Sequence, residues 1–193
     1  SASWHWDMPI GYWSLAVDAS YFKYLSTVQG TTQNFETSGN SATQSVNLSR
    51  VIFRDADSKT KLAFGIKRKK TENFIEDALI EQSSRSLSIA EITLSHEQYF
   101  SNGDLLVSAF TYERGLRWFE SPNDDKITGE FASATPKAQF DKFTTSFDYQ
   151  HPLAIAGINA QYRTRVFGQY SDDVLYGTET ISIGSAYSVR GYK

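Results

Sequence analysis

Hydrophobic and polar residues alternate along most of the chain, and turn residues interrupt the alternation at intervals. Within residues 12–28, Trp13, Leu15 and Val17 share one parity, and small or polar residues occupy the positions between them. A period of two predicts strands with one apolar and one polar face, and no long segment shows the period of a helix. The pattern predicts about eight strands, at residues 1–7, 12–28, 41–54, 59–73, 85–99, 104–119, 140–151 and 158–170.

The connections between the predicted strands alternate between short and long. Short turns follow the first, third, fifth and seventh segments, and Asn102-Gly103 in one of them is a strong hairpin signal. Long polar stretches follow the other four segments, and the longest of those between strands is 120–139. Short turns on one side and long loops on the other are typical of an outer-membrane β-barrel.

Strand length and the placement of aromatic residues favour the same architecture. Most segments run to about 12 to 17 residues, whereas about 9–11 suffice to cross a bilayer at a tilt and soluble strands cluster near about 5–6. Aromatic residues crowd the segment ends, as in the interfacial girdles of membrane barrels: Trp4, Trp6, Tyr12, Trp13, Tyr99, Phe100, Trp118 and Phe119. We therefore predict an all-β, antiparallel transmembrane β-barrel, with a soluble barrel or sandwich as the alternative.

The third segment departs from simple alternation. Val46 and Leu48 share one parity and Arg50 continues it, yet Val51 and Phe53 lie on the other parity. A β-bulge would shift the parity, and a lumen-facing apolar cluster would also account for it. The sequence leaves both explanations open.

Composition modifies this interpretation only slightly. The chain has 193 residues, 15% of them aromatic, a net charge of -3 and no cysteine, so a thiolate metal site and a basic face for nucleic acid are both excluded. The mean hydropathy of -0.42 would suit a soluble protein, but lumen-facing positions dilute the mean in a membrane barrel. The first residues lack the basic and apolar parts of a signal peptide, so we expect a mature form or an excised fragment.

The residues that could support catalysis are scattered. His5, His96 and His151 have no metal-ligand spacing, and no nucleophile elbow or phosphate-binding loop is present. We predict that the protein is not an enzyme and uses no cofactor; an outer-membrane protease or lipase is the remaining enzyme alternative.

Several short motifs, in order along nearly the whole chain, resemble one known family. They are Pro-Ile-Gly-Tyr-Trp at 9–13, Leu-Ser-Arg-Val-Ile-Phe-Arg-Asp at 48–55, Tyr-Glu-Arg-Gly-Leu at 112–116, Leu-Tyr-Gly-Thr-Glu at 175–179, Ser-Ile-Gly at 182–184 and Ser-Val-Arg-Gly-Tyr at 188–192. The chain resembles the barrel of the haemolysin secretion/activation family, the outer-membrane transporters of two-partner secretion, within the barrel-assembly-factor superfamily. Ser185 and Tyr192 depart mildly from the usual pattern, which has a second glycine and a phenylalanine there.

The resemblance implies an organisation. Family members carry two periplasmic POTRA domains ahead of a sixteen-stranded barrel, so this chain, with about eight strands, is expected to be a fragment of that barrel. Residues 1–170 would be barrel strands, and residues 171–193 a long extracellular loop that folds back into the lumen. Val189, Arg190, Gly191 and Tyr192 form the functional loop motif, in which Arg190 would pair with an acidic residue on a strand outside this chain. Without the resemblance, the motif would be interpreted as a solvated loop tip.

The resemblance also implies a function and partners. The protein would export a large exoprotein (a haemolysin, adhesin or contact-dependent toxin) across the outer membrane of a Gram-negative bacterium, and its POTRA domains would bind the exoprotein's N-terminal secretion domain. Alternatives are a barrel that inserts other outer-membrane proteins, and a soluble ligand-binding β-barrel. The sequence does not identify the exported protein.

Five charged or polar residues are candidates for the pore lining, and they are Arg163, Arg165, Gln169, Glu113 and Arg117. They could line the path of an unfolded substrate, or form salt bridges within the barrel wall. The basic run 67–70 is expected to be solvated or to face lipopolysaccharide, which with outer-membrane lipid would be a partner, rather than to bind nucleic acid.

Overall fold

A computed structural model describes residues 1–29, 34–81, 83–126, 134–155 and 157–181. These residues form one antiparallel sheet in which strands adjacent in sequence pair with each other, apart from a two-residue strand that pairs only with its predecessor. The strands are β1 (Ala2–Ile10), β2 (Trp13–Gln29), β3 (Asn34–Arg54), β4 (Ser58–Ile75), β5 (Ala78–Leu79), β6 (Arg85–Tyr99), β7 (Leu105–Leu116), β8 (Asp141–Ile155) and β9 (Ile158–Tyr170). Two single 3₁₀ turns lie at Asp124–Lys126 and Gly177–Glu179.

The register gives the sheet two chemically different faces. One row of directly paired residues runs across β1 to β8 as Met8, Leu15, Leu48, Phe64, Ile92, Tyr112 and Phe143. The next row runs as Asp7, Ala16, Asn47, Gly65, Glu91, Glu113 and Lys142. Because successive side chains of a strand point to opposite sides, the first row belongs to what we term the apolar face and the second to the polar face.

The apolar face is uncovered in the described part of the chain. Leu48 is 41% exposed, Phe64 47% and Ile92 43%, although all three lie in the middle of long strands. A continuous apolar surface of this extent is unusual for a protein in water and indicates contact with a partner or with lipid.

Buried apolar side chains lie instead on the polar face, near the long-loop ends of the strands. Leu87 and Ile89 of β6 are buried there, as are Ala138 and Phe140, which precede β8 and lie against Gly115, the residue of β7 that pairs with Ile89. Gly115 in β7 permits this packing, because a Cβ at that position would lie 1.9 Å from the carbonyl oxygen of Ala138.

The irregular third segment contains a β-bulge. Val51 pairs with Lys61 and Phe53 with Thr60, so Ile52 is the extra residue between them. The shift moves Phe53 onto the apolar face, beyond Leu48 and Arg50. Of the two explanations left open by the sequence, the bulge is confirmed.

Several predicted strand boundaries were wrong. β1 continues to Ile10, since Gly11 adopts a φ of +62° and closes the hairpin with only Tyr12 beside it. β3 begins at Asn34 and β8 continues to Ile155, so part of a polar stretch assigned to a loop and part of a predicted short turn are paired. β7 ends at Leu116 rather than at residue 119, because Phe119 and Glu120 both adopt positive φ values. No helix in the described ranges is long and apolar enough to cross a membrane.

Candidate functional site

Six charged side chains on the polar face form a connected cluster, which we term the ion network. Its members are Lys67, Lys69, Glu91, Glu113, Lys142 and Glu179. Lys142 Nζ lies 2.6 Å from Glu113 Oε2 and 3.2 Å from Glu179 Oε2. Lys67 Nζ lies 2.9 Å from Glu91 Oε2, and 3.8 Å from Glu113 Oε1. Lys69 Nζ completes the cluster at 2.7 Å from Glu179 Oε1.

The ion network is partly withdrawn from solvent and balanced in charge. The side chain of Glu179 is 1% exposed, that of Lys142 7% and that of Glu113 10%. Charges at this depth are costly unless each has a partner, and three lysines here meet three glutamates. Gly65 leaves room for the cluster, because a Cβ there would lie 2.6 Å from Glu91 Oε1.

The segment after β9 contributes Glu179 and is bound to the polar face at further points. Asp173 Oδ1 lies 2.7 Å from Lys137 Nζ, and its Oδ2 accepts a hydrogen bond from the Asp141 backbone N–H at 3.0 Å. These contacts hold the pKa of Asp173 below its usual value, chiefly through Lys137, and raise the pKa of Lys137. Gln169 Nε2 donates to the carbonyl oxygen of Glu179 at 3.1 Å.

A second charged cluster lies on the polar face nearer the short-turn ends. Asp148 of β8 accepts from Arg163 Nη2 at 2.5 Å and lies 2.7 Å from Arg165 Nη2. The carboxylate is mostly buried, while both guanidinium groups are about half exposed. One negative charge against two positive charges leaves this part of the polar face cationic.

Comparison with known proteins now identifies the family. A sequence model described as "Haemolysin secretion/activation protein ShlB/FhaC/HecB" matches residues 1–193. The chain is 34% identical to the outer membrane transporter CdiB of Dickeya dadantii over 187 residues, which is 96% of this chain and 32% of that protein. The hemolysin transporter protein ShlB of Serratia marcescens is 25% identical over 187 residues, covering 97% of this chain and 32% of that protein. The chain belongs to the haemolysin secretion/activation family.

Solved structures agree with this family assignment. The structure of CdiB from Escherichia coli matches 97% of the chain and 33% of its own length, with a TM-score of 0.85 at 30% sequence identity. CdiB from Acinetobacter baumannii matches with a TM-score of 0.79 at 25% identity, over 97% of this chain and 32% of that one. The all-β antiparallel barrel fold and the location in the outer membrane of a Gram-negative bacterium are therefore confirmed. The chain spans about a third of the length of the family members it matches.

The structure places four of the five candidate pore-lining residues of this family member on the polar face. Glu113 and Gln169 lie at the ion network, and Arg163 and Arg165 lie at Asp148. Arg117 lies beyond the end of β7, where its Nη2 is 2.6 Å from the exposed Asp125. Four candidates thus lie on the polar face in two separate groups, and Arg117 joins neither. The loop motif, Val189 to Tyr192, lies outside the described residues.

The basic run 67–70 is divided between the two faces, so the expectation that all four side chains are solvated or face lipopolysaccharide was wrong for two of them. Lys67 and Lys69 point to the polar face and join the ion network. Arg68 and Lys70 point to the other side, where they pair with Glu120 at 3.1 Å and Glu72 at 2.8 Å. The sequence could have predicted this division, because Lys67 and Lys69 have the opposite parity to Phe64 and Ile66 and therefore lie on the other face.

Sequence reasoning missed three members of the ion network. Glu91 and Lys142 could have been found from parity, because each alternates with an apolar neighbour, Ile92 and Phe143. Glu179 lies in a segment without strand periodicity, and its burial depends on contacts with strands distant in sequence. Only the family motif at 175–179 drew attention to it.

Proposed function

We propose that the full-length protein is an outer-membrane pore that exports a large exoprotein by two-partner secretion, and that this chain forms part of the pore wall. The observation that carries the proposal is the two-faced sheet: Leu48, Phe64 and Ile92 are exposed on one side, while the other side carries the ion network and the Asp148 cluster. An apolar outer surface and a polar interior are what a water-filled barrel in lipid requires. Relatives named as outer membrane and hemolysin transporters support the same proposal.

The polar face suits the passage of an unfolded chain. A segment in transit presents peptide groups and side chains of many kinds, so a wall without a continuous apolar strip binds none of them tightly. The exposed edges of Arg163 and Arg165 would offer weak contacts to carbonyl and carboxylate groups as they pass. The exoprotein would be engaged first through its N-terminal secretion domain by POTRA domains of the parent protein, as the family resemblance implies.

The outer surface would contact lipid. The apolar face would meet the hydrocarbon layer, and Arg68 and Lys70 lie on the same side of β4, towards its long-loop end. Cationic side chains near the long-loop ends of the strands could bind the phosphate groups of lipopolysaccharide, which would then contact the outer surface.

Residues 171–193 would act as a loop inside the pore. Arg190, at the tip of the Val-Arg-Gly-Tyr motif, would pair with a carboxylate on a barrel strand outside this chain, because a guanidinium in a narrow lumen needs a partner. Such a contact would fix the loop in the state that permits export.

Replacement of Arg190 tests this proposal. Arg190→Ala in the full-length protein should reduce exoprotein secretion by at least about tenfold, the effect of losing roughly 1.4 kcal/mol or more from a required contact. Arg114→Ala, which removes an exposed arginine at the end of β7, is the matched control and should secrete normally. Normal secretion by both variants, at equal amounts of folded barrel, would contradict the assigned role.

A further inference from the structure

We propose that Glu179 is a positioning residue that holds the beginning of the 171–193 loop against the inner side of the wall at a fixed depth. This inference rests on the proposed function, in which that inner side faces the export path. The Glu179 carboxylate would direct the residues that follow it along the polar face, and not away from the long-loop end of the sheet.

Glu179 bridges strands that are not neighbours. Its two oxygens contact Lys69 of β4 and Lys142 of β8, and these strands are separated by β6 and β7. Three strand spacings amount to roughly 14 Å, so the carboxylate lies between the two lysines, above the middle strands. It therefore joins two parts of the wall that have no direct pairing with each other.

The depth of Glu179 follows from the register. β4 continues from Lys69 to Ile75, six further residues, which corresponds to roughly 20 Å of strand. On the opposite side, Lys142 is the second residue of β8. Glu179 therefore lies level with the beginning of β8, at the long-loop edge of that part of the sheet. On the side of β4 it lies roughly 20 Å below the long-loop end of the strand. A chain that leaves Glu179 begins its course within the barrel on that side.

Other contacts fix the preceding residues and leave Glu179 with a distinct role. Asp173 is held at the beginning of β8 by Lys137 and the Asp141 N–H. The Arg85 guanidinium lies 4.6 Å from the centre of the Tyr176 ring. Both contacts lie upstream in the loop. After residue 176, the Glu179 carbonyl oxygen also accepts a hydrogen bond from Gln169 Nε2, so loss of the two lysine contacts would loosen the chain there while its base stays in place.

The charge balance makes this contact reversible. Lys142 is also 2.6 Å from Glu113, so it keeps a partner when Glu179 leaves. Lys69 is more exposed than Lys142 and would be hydrated. Glu179 would likewise regain water. Release would therefore leave no buried charge without a partner or water.

A spin label next to Glu179 tests the inference independently of secretion. The chain contains no cysteine, so Thr178→Cys in the full-length protein, freed of any other cysteine, accepts a single nitroxide. Glu179→Gln should raise the mobile fraction of the label by about fivefold, as the loss of roughly 1 kcal/mol would do. Glu72→Gln removes the same charge from an exposed pair on the other face, with Lys70, and should leave the spectrum unchanged.

Two lysine variants control for misfolding of the Glu179→Gln protein. Lys69→Met removes one of the partners of Glu179, whereas Lys70→Met alters the adjacent residue on the opposite face. Only Lys69→Met should mobilise the label, and it should also increase current fluctuations of the pore in planar bilayers. An immobile label in both Glu179→Gln and Lys69→Met would overturn the positioning role. Loss of secretion by all variants and by the parent protein would instead count against the proposed function.

Discussion

Asp148 holds two guanidinium groups with one carboxylate. Arg163 and Arg165 are alternate residues of β9, so both reach the same face and both find Asp148 on the neighbouring strand β8. Without that carboxylate, two like charges would stand side by side on the wall. The cluster is therefore a structural contact that also leaves the two guanidinium groups about half exposed on the polar face.

Asp148→Asn should destabilise the barrel by about 1–3 kcal/mol, because it leaves two arginines that repel each other and a mostly buried amide between them. The free energy of unfolding in urea, measured for the full-length protein in detergent, provides the test. Asp125→Asn breaks the exposed pair with Arg117 and should cost less than about 1 kcal/mol. Equal effects of the two variants would show that the Asp148 cluster is not a structural contact.

Asp104, in the short turn before β7, makes stability depend on pH. Hydrogen bonds from the Tyr149 hydroxyl, at 2.6 Å, and from His151 and Asn102 hold the pKa of Asp104 below its usual value. Its contribution is therefore complete above the unfolded pKa, near about 4, and is lost as the pH falls through the lower folded value. The difference in unfolding free energy between the parent protein and Asp104→Asn should shrink below about pH 4. A difference that stays constant from pH 7 to pH 2 would contradict this assignment.

At the scale of strands, periodicity predicted the bounds of two strands well. The bounds of β6 and β9 agree with the predicted segments 85–99 and 158–170. One error lies where pairing continues through polar sequence, at the beginning of β3, whose partners on β2 and β4 satisfy its backbone regardless of side-chain polarity. Side-chain alternation carries no signal for such extensions, because the backbone hydrogen bonds alone sustain them.

The packing of the long loop after β7 depends on a glycine. Gly115→Ala would place its Cβ 1.9 Å from the Ala138 carbonyl oxygen, so the backbone from Ala138 to Phe140 would have to move away from β7. We expect a loss of about 1–3 kcal/mol, typical of overpacking, and faster cleavage of the loop in limited proteolysis. Gly177→Ala meets no atom within 4 Å and should change neither measurement. Unaltered proteolysis of Gly115→Ala would show that the contact is dispensable.

At the scale of the whole sheet, the alternation of residue types predicted the two faces, and the ordered motifs predicted the family. Strand parity determines which side chains share a face, so the positions of Glu113 and Arg163 on one face followed from sequence alone. The ion network did not, because it is completed by Glu179, which requires the chain after β9 to return over the sheet to a position between β8 and β4. Contacts between residues so distant in sequence depend on three-dimensional packing, which the local alternation of residue types does not predict.

We propose that the polar face lines the export path and that the apolar face does not. Thr144 and Thr145 are adjacent, of the same residue type, and on opposite faces: Thr144 pairs with Gln169 and Thr145 with Gly168. A photoreactive amino acid at each position of the full-length protein, with an exoprotein stalled in transit, tests the claim most directly. We expect crosslinks to the exoprotein from position 144 and none from position 145. Crosslinks from position 145, or equal yields from both positions, would contradict it.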